Sequence, residues 1–371
     1  MFITIISFLL ILSVIVLIHE LGHFLMAKKF GIKVEEFGIG FPPRAFGRKI
    51  GETLYSINWL PIGGFVKLYG EDSAGGGKPL VQSLKLKVKS SGEDISRAFF
   101  ARPLWQRMVV VTAGVVMNFL LAVVLISFLF ATKGVALPSK NIIVTEVSHN
   151  SPAERAGIKP NDRIVKINGK VVDTAAVFIS ETKKNRGKQV ALSVLRYGKE
   201  TNVTLVPRLI SPKNEGAMGV AITDIEIKKY SLLQAPVFGT IEATKFSWMI
   251  VKGLGSMVSD FVLHGTKPQG VAGPIGVAEL TGQAVQIGWF AVLWFMALLS
   301  LNLAVLNILP IPALDGGRFF FMIVEMVTRK KVSPRYEALA HGIGLVLLLG
   351  LMLLITVLDV ARLIQGKSIM P

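Results

Sequence analysis

Leu17-Ile18-His19-Glu20-Leu21-Gly22-His23-Phe24-Leu25-Met26-Ala27 decides how the rest of the chain is read, because it sets an H-E-x-x-H pentapeptide inside an apolar run. No residue from Met1 to Ile18 is charged, and the run ends only at Lys28-Lys29. A segment of that length crosses a bilayer as a helix. On a helix, residues four apart point to the same side, so the two imidazoles converge on one ion. Glu20 lies about 100° round from His19, where it can serve a water held by that ion. In a soluble amphipathic helix the same letters could arise by accident. At membrane depth, two histidines and a glutamate are costly unless something compensates them, which favours a metal. The layout fits a zinc hydrolase.

The composition agrees with a membrane setting. Of 371 residues 51% are hydrophobic and 18% charged, with mean hydropathy +0.57, which predicts a polytopic α-helical membrane protein with room for one soluble domain. Beyond the first segment, the long uncharged stretches are Met108 to Ala131, Leu280 to Leu314 and Ala338 to Leu358, giving four transmembrane helices. Met1 is followed directly by apolar residues, without a basic n-region, and the pentapeptide stands where a cleavage site would be expected, so the first segment reads as a span and not a removable signal.

A net charge of +17 could suggest nucleic acid, but the basic residues fall in loops and form no aromatic-interleaved patch. They follow the positive-inside rule. The loop from Lys28 to Arg107 holds fourteen Lys or Arg against seven Asp or Glu, and the one after the third span holds Arg318, Arg329, Lys330, Lys331 and Arg335. Both belong in the cytoplasm, which places the N-terminus, the long middle segment and the C-terminus outside. With no cysteine, any metal is held by nitrogen and oxygen.

The predicted division is a first transmembrane helix over 1–27, a cytoplasmic-side membrane-associated β region and loop over 28–103, and a second helix over 104–132. An extracytoplasmic β-rich domain covers 133–212 and an amphipathic membrane-surface segment 213–283, including Tyr230 to His264. A third helix covers 284–309, a cytoplasmic loop 310–337, a fourth helix 338–360 and a tail 361–371. In the β region, two apolar strands around Pro61-Ile62-Gly63-Gly64 predict a hairpin, and Ser73 to Ser96 reads as a mobile loop. In the β-rich domain, strands are predicted at Ile142 to Val147, Asp162 to Ile167, Gln189 to Arg196 and Thr201 to Pro207. A short helix is predicted at Ser151 to Gly157, and a tight turn at Asn168-Gly169.

A second chemical feature closes the third span. Asn307-Ile308-Leu309-Pro310-Ile311-Pro312-Ala313-Leu314-Asp315-Gly316-Gly317 places a lone carboxylate in an uncharged stretch. Catalytic zinc usually takes three protein ligands, and Asp315 can be the third. The plain alternative, a helix cap, leaves the surrounding prolines and glycines unexplained.

Taken together, His19-Glu20-x-x-His23 and Asn307-x-x-Pro310-x-Pro312-x-Leu314-Asp315-Gly316 resemble the site-2 protease family of intramembrane metalloproteases, along nearly the whole chain. Pro61-Ile62-Gly63-Gly64-Phe65-Val66-Lys67 is similar to its membrane-embedded β-hairpin, Ala113-Gly114 with Asn118-Phe119 to its second-span signature, and Gly273-Pro274-Ile275-Gly276 to its segment before span three. Ser151-Pro152-Ala153 through Asn168-Gly169 resembles the PDZ domain of the bacterial regulator-of-sigma-E branch, here with a single such signature. The resemblance implies His19, His23 and Asp315 as zinc ligands, Glu20 as acid and base, and Asn307 as a contact for unwound substrate. Departures are Val115 for proline, Asn161 for glycine in the PDZ turn, and Arg318 for histidine.

The implied activity is cleavage within transmembrane segments of single-span proteins in the bilayer of a bacterial cytoplasmic membrane, the substrates being anti-sigma factors or remnant signal peptides. A strand of substrate would add to the hairpin from Tyr55 to Leu68, where Gly63, Gly64, Phe65, Val66 and Lys67 would hold it. The rival reading is a membrane-anchored PDZ adaptor with a structural metal. A structural site wants four ligands, and only three are found, since His149, His264 and His341 are placed outside, at a membrane surface or in the fourth span. A zinc transporter would need ionisable groups on more spans. Nothing in the residues fixes the oligomeric state.

Overall fold

The computed structural model describes residues 2–71, 94–212, 215–265, 272–330 and 332–365. In chain order its main elements are α1 (Phe2–Lys29), β1 (Val34–Ile50), β2 (Thr53–Leu68), α2 (Leu104–Thr132), β3 (Val135–Val147), α3 (Pro152–Arg155), β4 (Arg163–Ile167), β5 (Lys170–Val171), α4 (Ala175–Lys184), β6 (Val190–Arg196), β7 (Lys199–Leu205), β8 (Val220–Lys228), α5 (Ala235–His264), α6 (Pro274–Ile287), α7 (Trp289–Ile308), α8 (Asp315–Thr328) and α9 (Pro334–Ile364). Four helices, α1, α2, α7 and α9, are long and apolar enough to cross a membrane. The chain forms two compact units, one of residues 1–129 with 231–371, the other of 130–230.

The first unit carries all four of those helices apart from the last residues of α2. α1 is rich in Ile and Val, weak helix formers in water, but lipid offers backbone groups no partner except the helix itself. Its buried residues are Ile11, Ile15, His19, Gly22, His23 and Ala27. That three-to-four-residue spacing makes one stripe, so the pentapeptide's histidines point into the protein while Ile3, Ile5, Leu10 and Leu25 stay exposed.

The hairpin differs from its predicted form. Its turn is at Gly51-Glu52, and Pro61-Ile62-Gly63-Gly64 lies within β2. β1 and β2 fold back on themselves: Phe37 faces Tyr55 on one side and Val66 on the other, and Phe46 to Ile50 returns along Thr53 to Ile57. Tyr55 to Ile57 is therefore enclosed by partners on both sides, whereas Gly64 to Leu68, at the far end of the predicted substrate-binding strand, pairs with β1 on one side. Proline and paired glycine usually make a turn, which is why Pro61-Ile62-Gly63-Gly64 predicts one. The actual turn is stapled by charge. Arg97 and Lys28 bond to the Glu52 carboxylate and hold its pKa down at about 2. Phe41, Phe46, Trp59 and Leu60 are exposed on the sheet.

Two boundaries also shift. The uncharged stretch from Leu280 is not one helix, because Gly288, at φ 127°, separates α6 from α7. Nor is the whole of 213–283 a surface segment. Gly276, Thr281 and Gly282 on α6 are buried, and a Cβ on Gly282 would press against Thr4 of α1. Small residues give α6 this close approach, a packing device that looks the same in sequence as a weakly amphipathic surface. Asp359 of α9 accepts the N–H groups of Gly273 and Gly276 at 2.9 Å each, capping the first turn of α6. Most of the predicted loop Ser73 to Ser96, and the tail from 366, lie outside the described residues.

The second unit is a sheet in the order β7-β6-β4-β3-β8, with β5 on β4. Its core gathers Ile142, Val144, Ile164, Phe178, Leu192 and Met218. Asn161 adopts φ 71° where the related pattern has glycine, and Asn168 and Gly169 adopt φ 51° and 77° in their tight turn. Ser151 accepts the Glu154 N–H at 3.0 Å and starts α3. α4 and β8 carry weaker sequence signals: α4 is short, with Thr174 as its cap, and β8 is an edge strand of alternating polar residues.

Candidate metal centre and catalytic cavity

The centre is built where α1, α2 and the start of α8 meet. Gly22 of α1 lies against the Ala113 carbonyl of α2, and a Cβ on Gly114 would collide with the rings of both His19 and His23. The Ala113-Gly114 pair thus lets two helices cross at backbone distance and leaves room for the imidazoles. His23 Nδ1 lies 2.8 Å from the Val110 carbonyl. A carbonyl only accepts, so Nδ1 carries the hydrogen and Nε2 presents a lone pair.

Asp315 arrives from the other side. α7 ends before Leu309-Pro310, Ala313 turns at φ 77°, and α8 begins at Asp315 without a side-chain cap. Any Cβ on Gly316 or Gly317 would strike the carbonyls of Leu309 or Ile311, which accounts for the Gly pair after the aspartate. The Asp315 carboxylate goes to the histidines: Oδ2 is 2.9 Å from His19 Nε2 and 3.3 Å from His23 Nε2. The two Nε2 atoms are 3.2 Å apart. Among the described residues this is the one cluster of three such ligand atoms, all within 4.8 Å of one another. Lone pairs that face each other this closely fit a divalent cation between them, and two imidazoles with one carboxylate are a donor set that zinc accepts.

Beside the centre lies a cavity of about 650 Å³ lined by Glu20, His23, Phe65, Val66 and Asp315, among others. Glu20 Oε2 accepts the Val66 N–H at 3.0 Å, and Glu71 Oε2 accepts the Leu68 N–H at 3.4 Å. Two donors of the Gly64–Leu68 stretch, the Val66 and Leu68 N–H groups, are thus already engaged by carboxylates, and Glu71 in turn pairs with Arg318. The other expected substrate contacts spread out. Gly63 and Gly64 pack against Val16 and Leu17 of α1, and Lys67 reaches Glu35 at 3.0 Å. The Asn307 amide stands 3.3 Å from His19 Nε2, beside the centre. His149 and His264 pair locally with Glu154 and Asp260.

The profile of Peptidase family M50 matches residues 7–351. The chain belongs to that family. Similar M50-type relatives include a candidate zinc metalloprotease of Clostridium acetobutylicum, 36% identical over 97% of this chain and 98% of its own. The zinc metalloprotease RasP of Shouchella clausii is 33% identical over 97% and 99%. The regulator of sigma-W protease RasP of Bacillus subtilis is 30% identical, again over 97% and 99%. Among solved structures, the PDZ domain of an SdrC-like protein from Listeria monocytogenes is 20% identical, with 23% of this chain and 90% of that domain covered and a TM-score of 0.21. As an M50 peptidase the protein is a membrane zinc metalloprotease of the site-2 type.

Sequence reading attached no role to three M50 residues that the structure brings to the centre. Asn118, fully buried, sets its amide 3.3 Å from His19 Nδ1. Arg318, noted as a departure, closes one wall by its pair with Glu71. His341 lines the cavity from α9. Only Asn118 had a signal, its place in the second-span signature; the other two are visible only once α8 and α9 are packed.

Proposed function

We propose that this M50 peptidase cleaves transmembrane segments of single-span proteins during regulated intramembrane proteolysis, in a bacterial cytoplasmic membrane, with both termini and the PDZ-like unit extracytoplasmic. The observation that carries the reading is the convergence of His19 Nε2, His23 Nε2 and an Asp315 oxygen beside a cavity that Glu20 also lines. His19, His23 and Asp315 are the zinc ligands in this reading. Bound there, zinc supplies Lewis acidity to the scissile carbonyl and the attacking water. Glu20 takes the water's proton on a carboxylate oxygen and returns it to the departing amine nitrogen.

A helical substrate hides its carbonyls in its own hydrogen bonds, so it unwinds before attack. The half-buried edge at Phe65 and Val66, which lines the cavity, offers it a strand partner. Because Val66 donates to Glu20, a substrate carbonyl that takes this N–H also releases the Glu20 oxygen for proton transfer. Asn307, beside the centre, meets the carbonyl drawn there. Anti-sigma factors are favoured over signal peptides because one relative is named as a regulator of a sigma factor.

The test is Glu20→Gln in the full chain in membranes or detergent, with a single-span substrate. Cleavage should fall below detection while zinc content stays at the wild-type level. Loss of zinc together with activity would reassign Glu20 as a ligand.

A further inference from the structure

His341 has no part in the reaction as described, yet its ring lines the same cavity as Glu20, His23 and Asp315. Its Nδ1 accepts the Ala313 N–H at 2.8 Å. A neutral ring whose Nδ1 accepts a hydrogen bond carries its proton on Nε2. That Nε2 is buried and has no hydrogen-bond partner among the described residues. The ring is also held in place. Gly344 brings α9 so near that a Cβ there would press into Pro312, and the Phe321 ring stands 5.7 Å from the imidazole.

Buried donors are seldom left without an acceptor, and one kept so beside an active cavity invites an acceptor from outside. An unwound peptide brings such acceptors, the carbonyls that have lost their helical partners. Other donors along that wall already have acceptors: Val66 N–H in Glu20, Leu68 N–H in Glu71 and one Arg318 nitrogen in Glu71. We propose that His341 is a substrate-binding residue of the catalytic cavity, whose Nε2–H donates to a backbone carbonyl of the unwound substrate segment. The turn of Ala313 fixes the tautomer that makes this donation available. The proposal rests on the cavity being the peptide site.

Two substitutions separate this role from simple support of the Ala313 turn. Asparagine places its amide where Nδ1 stood, and glutamine places its amide near the position of Nε2. In the full-length protein His341→Asn should keep wild-type zinc content and an unchanged visible spectrum after Co²⁺ substitution, while kcat/KM for a single-span substrate falls about ten- to a hundredfold, the scale of one lost buried hydrogen bond. His341→Gln should be at least tenfold more active than His341→Asn. Equal losses in the two variants, a more active asparagine variant, or loss of zinc in the asparagine variant would each overturn the proposal. Failure of the wild type to cleave any single-span substrate would instead remove the peptide-site reading, and this inference with it.

Discussion

Two carboxylates, Asp315 in the membrane unit and Asp162 in the 130–230 unit, are both shielded and are answered in opposite ways. Asp162 is 1% exposed and meets the Arg196 fork with two bonds of 2.7 Å, plus the Lys159 N–H at 2.8 Å. Every charge there is matched, and nothing further is needed. Asp315 meets two imidazoles whose Nε2 atoms also face each other. Its surroundings supply lone pairs where Asp162 receives donors. A closed pair serves the fold; converging bases ask for a cation, and here the helices are shaped to keep them together. Three changes can break or sharpen that contrast.

The largest effect is expected at Gly114. A Cβ there would collide with His23 Nε2 and the His19 ring, so the helices must part or the imidazoles turn away. Displacements near 1 Å are enough to undo such a site. Gly114→Ala should reduce zinc in the purified full-length protein to a small fraction of wild type and abolish cleavage, with amide hydrogen exchange in β4 and β6 unchanged. Wild-type zinc in this variant would mean that the crossing of α1 and α2 does not set the site.

How much of this could be read from residues differs by kind of evidence. The histidine pair was legible because its geometry is local: an i, i+4 spacing on one helix fixes a shared direction. Asp315 was legible by composition, as a lone charge in an apolar stretch. The strands of the 130–230 unit and the Asn168-Gly169 turn followed from alternation and turn chemistry. The edge of the β1–β2 sheet was not legible, since Tyr55 and Val66 look equally strand-like and only the fold-back shows which is enclosed. The same holds for His341, whose spacing from Asp315 carries no information until α9 packs on Pro312. Small residues on α6 were likewise ambiguous, because packing against a helix and lying on lipid ask for similar letters.

A smaller effect is expected at Asn118. If His19 gives Nε2 to the metal, its Nδ1 carries a hydrogen and needs an acceptor. The Asn118 amide lies 3.3 Å away, and its Oδ1 has no partner in the present orientation. Amide oxygen and nitrogen are assigned from their bonding, and turning the group gives Nδ1–H its acceptor. Asn118→Leu keeps the volume and removes that bond, so zinc affinity measured by chelator competition should fall about ten- to a hundredfold, the usual cost of a lost outer partner. An unchanged affinity would show that His19 is oriented by packing alone.

The smallest change, at Asp162, should leave zinc and cleavage untouched and act on the second unit only. Burial pushes the Asp162 carboxyl up, but the Arg196 guanidinium and the Lys159 N–H outweigh it and hold the pKa below the ordinary value. A carboxyl whose folded pKa is depressed contributes stability that is whole above its unfolded value, near 3.9, and drains away as pH falls through the folded one. The Arg196 side chain is 29% exposed, which places the pair between a surface bridge worth under about 1 kcal/mol and a sealed one whose rupture costs about 3–5. Asp162→Asn should therefore lower the opening free energy of β4 and β6, read by hydrogen exchange in the intact chain, by about 2 kcal/mol at neutral pH. The gap between the two proteins should close as pH falls below about 4. A gap that stays constant down to the acid range would mean that Arg196 contributes by packing and not by charge. Loss of zinc in the same variant would erase the contrast between the two carboxylates, because a pair closed on itself in one unit would then be shaping the centre in the other.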